Sequence, residues 1–99
     1  MADKPIEVAA GLVFRDGKLL ITKRPQGSHL AGLWEFPGGK REANETIERC
    51  LHRELKEELG IEVALGQALE SVTHKYSVMT VQITFFLARL AKGEPRAIE

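Results

Sequence analysis

Hydrophobic positions divide the chain into strand-like runs that surround one helix-like run. Aliphatic and β-branched residues dominate residues 6–14 and 19–23, and the polar residues 15–18 separate these two runs. Residues of this kind favour strands, and an Asp-Gly pair between two such runs favours a tight turn. The N-terminal part therefore predicts a β-hairpin.

The helix-like run has apolar residues four positions apart. They are Ile47, Leu51, Leu55 and Leu59. This spacing places them along one side of an α-helix, where they face a hydrophobic core. Thr46 is suited to cap the N-terminus, Glu48 favours the first turn, and Gly60 can adopt the left-handed conformation that ends a helix. The pattern predicts a helix over residues 46–59.

Shorter runs complete the chain. Residues 33–36 predict a short strand that Pro37 ends, and residues 62–71 predict another strand and a connection. Residues 72–90 predict two strands around a turn at 75–77, and residues 91–99 predict a loop. In the last strand the alternate positions Val81, Ile83, Phe85 and Leu87 are apolar, and so are Phe86 and Ala88. This strand is therefore expected to be covered on both faces of a mostly antiparallel or mixed sheet.

Composition limits the kind of partner. Ninety-nine residues make one small domain, and 14 Lys plus Arg balance 14 Asp plus Glu. An extended nucleic acid is a poor fit for a chain without a basic excess, so a small ligand is expected. The single Cys50 cannot form an internal disulfide and suits a small buried helix position. Without a signal-like or membrane-spanning apolar segment, the sequence predicts a cytoplasmic protein with no membrane partner.

Three glutamates on the predicted helix are the candidate chemical groups. Glu54, Glu57 and Glu58 lie three and four residues apart, on one side of a helix, and Glu54 and Glu58 fall along the edge of its apolar stripe. Their mutual repulsion favours a bound hard cation such as Mg²⁺, with Mn²⁺ as a substitute. Taken alone, the three residues are more typical of a solvated, charged helix face than of a metal site.

A longer pattern favours the metal site. Residues 39–61 place fixed residue types at fixed spacing: Gly39, Glu45, Arg53, Glu54, Leu55, Glu57, Glu58, Gly60 and Ile61. This pattern resembles the Nudix box, and residues 1–99 then form one Nudix domain. The resemblance implies an α/β fold, an α/β/α sandwich with a mixed sheet and the box helix. It also implies Mg²⁺-dependent hydrolysis of a nucleoside diphosphate linked to another moiety.

The resemblance also implies roles for individual residues. Glu54, Glu57 and Glu58, with the main-chain carbonyl of Gly39, would bind the metal. Arg53 would orient carboxylates, with Glu45 as its partner, because a guanidinium can clamp a carboxylate through two hydrogen bonds. The catalytic residues would then be Glu54, Glu57, Arg53 and Glu45.

Residues 33–40 (LWEFPGGK) resemble the MutT-like branch, which hydrolyses oxidised guanine nucleotides. In that branch the positions of Arg24, His29 and Phe36 lie at the nucleotide site, and Lys40 could approach a phosphate. Without the resemblance, Arg24 could equally be a solvated strand end, His29 a loop residue and Phe36 an ordinary core residue. Lys40 is equally typical of a solvent-facing turn. Glu99 matches a further metal ligand or general base, or else is a chain end outside the site. Trp34 is expected to pack against other residues rather than stack on a base.

Family members usually continue with a second main helix on the other face of the sheet. This chain ends before such a segment, so we expect an incomplete C-terminus and possible self-association through the uncovered face. Three functions are compatible with these features. They are a nucleoside triphosphate pyrophosphohydrolase giving a monophosphate and pyrophosphate, a Nudix hydrolase of dinucleoside polyphosphates or nucleotide sugars, and a non-catalytic module that binds nucleotides or DNA lesions. The complete box argues against the third, since a binding module does not require all three carboxylates.

Overall fold

The two most hydrophobic runs become neighbouring strands of a mixed sheet. The computed structural model describes residues 4–23, 27 and 32–95. Strand β1 (Ile6–Arg15) pairs in parallel with β7 (Thr80–Lys92), and Ile6 lies opposite Val81. On the other side of β7, the long strand β6 (Glu62–Lys75) runs antiparallel. The predicted mixed sheet is therefore confirmed.

Two short strands extend the sheet beside β1. Strands β2 (Lys18–Leu19) and β5 (Gly38–Lys40) both pair antiparallel with β1, which gives the order β2-β1-β7-β6 with β5 also on β1. Strands β3 (Thr22–Lys23) and β4 (Trp34–Glu35) form a separate two-stranded sheet. The helix α1 (Ile47–Leu59) lies between β5 and β6 in the chain.

The predicted hairpin is only partly correct. Asp16 and Gly17 both have positive φ, 52° and 74°, which is the geometry of a two-residue turn between twisted strands. The second strand does not continue over residues 19–23, however. It divides into β2, which pairs with β1, and β3, which pairs with β4.

Two other strand predictions need correction, and one strand was not predicted. Residues 62–75 form one strand, β6, with irregular register near Ala68, rather than a short strand followed by a connection. Strand β7 extends to Lys92, into the predicted C-terminal loop. Strand β5 was not predicted at all, although its hydrogen-bonded position beside β1 places the start of the box.

The helix agrees with its prediction at both ends. The Thr46 hydroxyl accepts a hydrogen bond from the backbone N–H of Arg49 at 3.1 Å. Gly60 adopts φ 69°, and its N–H donates to the carbonyls of Leu55 and Lys56. Both arrangements satisfy groups that a helix leaves unpaired at its ends.

The apolar side of α1 packs on one face of the sheet. Leu51, Leu55 and Cys50 are fully buried against Val13 of β1 and Phe86 of β7, among other residues. Burial of a Leu side chain stabilises the fold by about 1.5–3 kcal/mol, so this layer fixes the helix on the sheet. The helix in turn places its polar edge beside β5.

The opposite face of the sheet carries Ile83 and Phe85, which line a cavity. Both faces of β7 therefore have apolar side chains, but the expected cover is complete only beneath the helix, since Leu87 on the other face is 36% exposed. Among the described residues α1 is the single helix, and no helix there is long and apolar enough to cross a membrane.

Candidate metal and nucleotide site

Arg53 is the centre of the candidate site. Its guanidinium donates to both carboxylate oxygens of Glu45, at 3.0 Å from Nε and 2.8 Å from Nη2. Nη1 donates to Glu54 at 2.9 Å and to Glu57 at 3.1 Å, and Nη2 also donates to the Lys40 carbonyl at 2.9 Å. The predicted contact between Arg53 and Glu45 is present, and one cation links three carboxylates and strand β5.

The contact between Glu45 and Arg53 favours the ionised form of both side chains. The hydrogen bonds from Arg53 and, next in importance, from the Glu42 backbone N–H lower the pKa of Glu45 from 4.5 to about 2. The same contact with Glu45 raises the pKa of Arg53 above its usual value. The pair therefore stays ionised over the whole range in which the protein would work.

Glu54 lies unusually close to the backbone of β5. A side-chain carbon placed on Gly39 would overlap the Glu54 carboxylate, so only glycine leaves room for it there. The Glu54 side chain is 18% exposed. Because Gly39 lacks a side chain, the Glu54 carboxylate of α1 can lie directly against the backbone of β5.

Glu58 has a different environment from its neighbours. Burial, followed by a hydrogen bond with Glu54 and the charges of nearby carboxylates, raises the pKa of Glu58 from 4.5 to about 7. Burial disfavours the charged form of a carboxyl group, and like charges add to this effect. Glu58 therefore holds a proton near neutral pH unless a cation replaces it. By contrast, the Glu57 side chain is 54% exposed.

Cys50 lies beneath the site. Its thiol donates to the Gly39 carbonyl at 3.4 Å, and it is fully buried. Burial raises the pKa of Cys50 from 9.0 to about 11, so the group is a neutral donor rather than a thiolate. The sequence identified its burial but gave no indication of this contact with Gly39.

A cavity of about 660 Å³ begins beside these carboxylates. Glu58, Gly39 and Lys40 line one end, and Phe36 and Phe85 line its apolar part, where their rings meet edge to face at 6.2 Å. Its size is within the range of small-molecule sites, which combine apolar walls with a few polar groups. Phe36 and Lys40, two of the predicted nucleotide-site residues, therefore lie in one cavity.

Trp34 differs from its expected position. It is 63% exposed and lines the cavity, and the Lys23 ammonium lies 5.8 Å from its ring centre. The prediction that Trp34 serves in packing was wrong, because the two-stranded β3–β4 sheet holds it away from the core of the main sheet. Its ring is instead available at the edge of the cavity.

The structure thus brings together most of the predicted site residues. Glu45, Arg53, Glu54 and Glu57 are joined by hydrogen bonds, while Gly39 and Glu58 lie beside Glu54. Three predicted residues, Arg24, His29 and Glu99, lie outside the described residues.

Three of the carboxylates, those of Glu45, Glu54 and Glu57, are arranged around the Arg53 guanidinium. Over residues 4–23, 27 and 32–95, no three His, Cys, Asp or Glu side chains form a group ready to hold a metal ion. The donor set nevertheless suits a hard divalent cation, since it consists of carboxylates and a main-chain carbonyl. The Glu54 carboxylate occupies the place that a side-chain carbon of residue 39 would take, so it lies directly against the backbone of Gly39.

Comparisons with known proteins agree with this geometry. A model of the NUDIX domain matches residues 9–99. An 8-oxo-dGTP diphosphatase from Proteus vulgaris is 42% identical over 95% of this chain and 85% of its own length. A CTP pyrophosphohydrolase from Escherichia coli strain K12 is 53% identical over 69% of this chain, a match that spans half of that protein.

A solved structure has the same fold. The MutT Nudix hydrolase from Burkholderia pseudomallei superposes with a TM-score of 0.82 and 36% identity, over 98% of this chain and 76% of the other. The match includes the mixed sheet and the box helix, which carry the site described above. The chain therefore belongs to the Nudix family of hydrolases that act on phosphoanhydride bonds, within its MutT-like branch.

Proposed function

We propose that this chain is a single Nudix domain that hydrolyses a nucleoside triphosphate to a monophosphate and pyrophosphate with the help of Mg²⁺. One observation carries the proposal: the cavity that Phe36 and Phe85 line with aromatic rings is also lined by Glu58 and Gly39 of the box. A nucleotide has the same two parts, since its phosphates require cations and its base favours aromatic and apolar contacts.

The residues that would hold the metal are Glu54, Glu57, Glu58 and the Gly39 carbonyl. When bound, a divalent cation would neutralise negative charge on the phosphate oxygens, which is the main requirement of phosphoryl transfer. Mn²⁺ supplies the same chemistry with similar ligands. Support for this assignment comes from the geometry, since Arg53 contacts both Glu54 and Glu57, and Glu58 lies beside Glu54 and lines the cavity.

The side chains have complementary tasks in the reaction. The oxygen of a water molecule forms a bond to phosphorus, the anhydride P–O bond breaks, and a carboxylate of the box accepts a proton of that water. Arg53 keeps Glu54 and Glu57 in fixed positions through its hydrogen bonds, and Glu45 holds Arg53. Lys40, at the same end of the cavity, can neutralise a phosphate oxygen.

The apolar part of the cavity does not by itself select a base, because apolar walls accept any aromatic ring. Trp34, exposed at the cavity edge, adds a further surface on which a base can stack. Relatives that act on 8-oxo-dGTP and on CTP both have high identity to this chain, so we include both in the test. An oxidised guanine nucleotide is our first choice, since the 8-oxo-dGTP diphosphatase aligns with nearly the whole chain.

A substrate panel tests the proposal. The purified protein with Mg²⁺ is given 8-oxo-dGTP, dGTP, CTP, a dinucleoside polyphosphate and a nucleotide sugar, and pyrophosphate and phosphate are measured separately. We expect pyrophosphate from 8-oxo-dGTP at a higher kcat/KM than from dGTP. Faster turnover of the dinucleoside polyphosphate or the nucleotide sugar would overturn this substrate class. Binding without turnover of any of the five compounds would indicate a binding module.

Binding can be followed without turnover. The chain contains one tryptophan, so its fluorescence reports on Trp34 alone. We expect a nucleoside monophosphate to quench this fluorescence, and a Phe36→Ala variant to weaken the binding. Inorganic pyrophosphate serves as the control, because it lacks a base and should leave the tryptophan signal unchanged.

A further inference from the structure

Arg41 links strand β1 to the turn that precedes the helix. Its Nε and Nη2 donate to one Glu7 carboxylate oxygen, at 2.9 Å and 2.8 Å. On its other side Nη1 donates to the backbone carbonyls of Glu45, at 3.0 Å, and Glu42, at 3.3 Å. Its backbone N–H also donates to the Glu7 carbonyl at 2.8 Å.

The turn that Arg41 holds is otherwise exposed. Residues 42–44 lie on the surface, and Asn44 has φ 67°, a left-handed conformation. The Glu42 backbone N–H donates to a Glu45 carboxylate oxygen at 2.8 Å, so the turn sets the direction of that side chain. Glu45 then receives both hydrogen bonds from Arg53, which also contacts the catalytic carboxylates. A chain of contacts therefore runs from Arg41 through Glu45 to Arg53.

We propose that Arg41 is a positioning residue for the reaction: it fixes the 42–45 turn on β1, so that Glu45 keeps Arg53 between the box carboxylates. This inference rests on the proposed function. Arg41 itself is not among the residues that line the cavity, and its effect passes through Glu45.

The sizes of the effects on stability and on catalysis distinguish this role from a purely structural one. The side chains of Arg41 and Glu7 are 33% and 41% exposed, and ion pairs with this much exposure contribute little to stability. Displacing a positioned group by about 1 Å, however, can reduce catalysis by about a hundredfold. Arg41 therefore affects turnover much more than it affects unfolding.

The test compares Arg41→Ala with a matched control, Arg15→Ala. Arg15 forms a surface ion pair with Glu94 at 2.8 Å, far along the chain from the box. In Arg41→Ala we expect kcat to fall at least about tenfold with KM within about threefold of wild type, since the base and phosphate contacts are kept. The urea midpoints of the two variants should be similar, and Arg15→Ala should keep wild-type kcat.

A second measurement does not depend on activity. Hydrogen exchange of the Arg53 Nε–H, which donates to Glu45, can be followed by NMR. We expect faster exchange, by about tenfold, in Arg41→Ala and no change in Arg15→Ala. If the wild-type protein hydrolyses none of the nucleotides, the proposed function is overturned, while this exchange rate still decides whether Arg41 positions Arg53.

Two further variants complete the test. Arg41→Lys keeps the charge but cannot bridge Glu7 and the turn carbonyls together, so its kcat should be intermediate. This variant also tests the proposal if Arg41→Ala does not fold. In a Glu45→Gln background, Arg41→Ala should lower kcat less than twofold, because both changes act on the same contact. An unchanged Arg53 exchange rate, an unchanged kcat in an active enzyme, or additive effects of the two changes would each overturn the proposal.

Discussion

The protonated state of Glu58 makes the stability of the metal-free protein depend on pH. Burial and the contact with Glu54 raise the pKa of Glu58 to about 7, while the unfolded chain has the ordinary value near 4.5. Between these values the folded protein holds a proton that the unfolded chain has released. The free energy of unfolding therefore falls as pH rises from about 4.5 through 7, and the contribution of this proton is fully present only below about 4.5.

The magnitude follows from the same two values. One pKa unit corresponds to about 1.4 kcal/mol, so the difference gives at most about 3 kcal/mol. Glu58 is only partly buried, and screening by solvent reduces the expected loss to about 1–2 kcal/mol. Glu58→Gln places a neutral amide where the protonated acid was, so this variant should lose the pH dependence and be more stable than wild type at pH 8 in a chelator.

Urea unfolding at several pH values between 5 and 8.5, with a chelator present, measures this effect. Glu62→Gln is the control, since Glu62 is exposed on β6 and its change should leave the wild-type slope intact. Mg²⁺ should stabilise wild type more at pH 8 than at pH 6, because the cation replaces the proton, and should stabilise Glu58→Gln less. Equal pH slopes for wild type and Glu58→Gln would refute the reasoning.

Four other changes test separate parts of the molecule. Glu54→Gln should lower kcat by at least about a hundredfold while circular dichroism stays unchanged, and an unfolded variant would show a structural role instead. Glu57→Gln should weaken Mg²⁺ binding in calorimetry, and equal affinity would remove Glu57 from the metal site. Leu55→Ala should destabilise the protein by about 2–5 kcal/mol in urea, since the side chain is fully buried, and a midpoint within error of wild type would contradict this. Light scattering should show self-association through the sheet face that carries Leu87, which Leu87→Lys should abolish; a monomer would disprove it.

The helix and its carboxylates could be predicted because their signals are local. Thr46, Gly60 and the four-residue apolar spacing each act within one or two turns, and the structure places both caps as expected. The same local geometry predicts that Glu54 and Glu58 are partly buried, which they are. The box pattern then identified the family from this one stretch.

The unpredicted features depend on partners far away in the chain. Strand β5 has two glycines and no strand-favouring residue, and it forms because backbone bonds from Gly11 to Pro37 and from Arg41 to Glu7 hold its ends beside β1. The exposure of Trp34 likewise depends on β3, its pairing partner. Composition and periodicity contain no information about such pairings, since side-chain pattern alone does not select the neighbouring strand.

The parallel pairing of β1 with β7 has a consequence for how the protein is made. Strand β1 obtains its central neighbour only when β7 has left the ribosome, and Phe86 of β7 completes the core beneath α1. Contacts between such distant segments slow folding, and apolar surface stays exposed until β7 has been synthesised. The box helix is translated well before β7, yet it lacks part of its packing surface until then. A nascent chain that stops before β7 should therefore carry all the box carboxylates and still have no ordered site, and it should depend on chaperones.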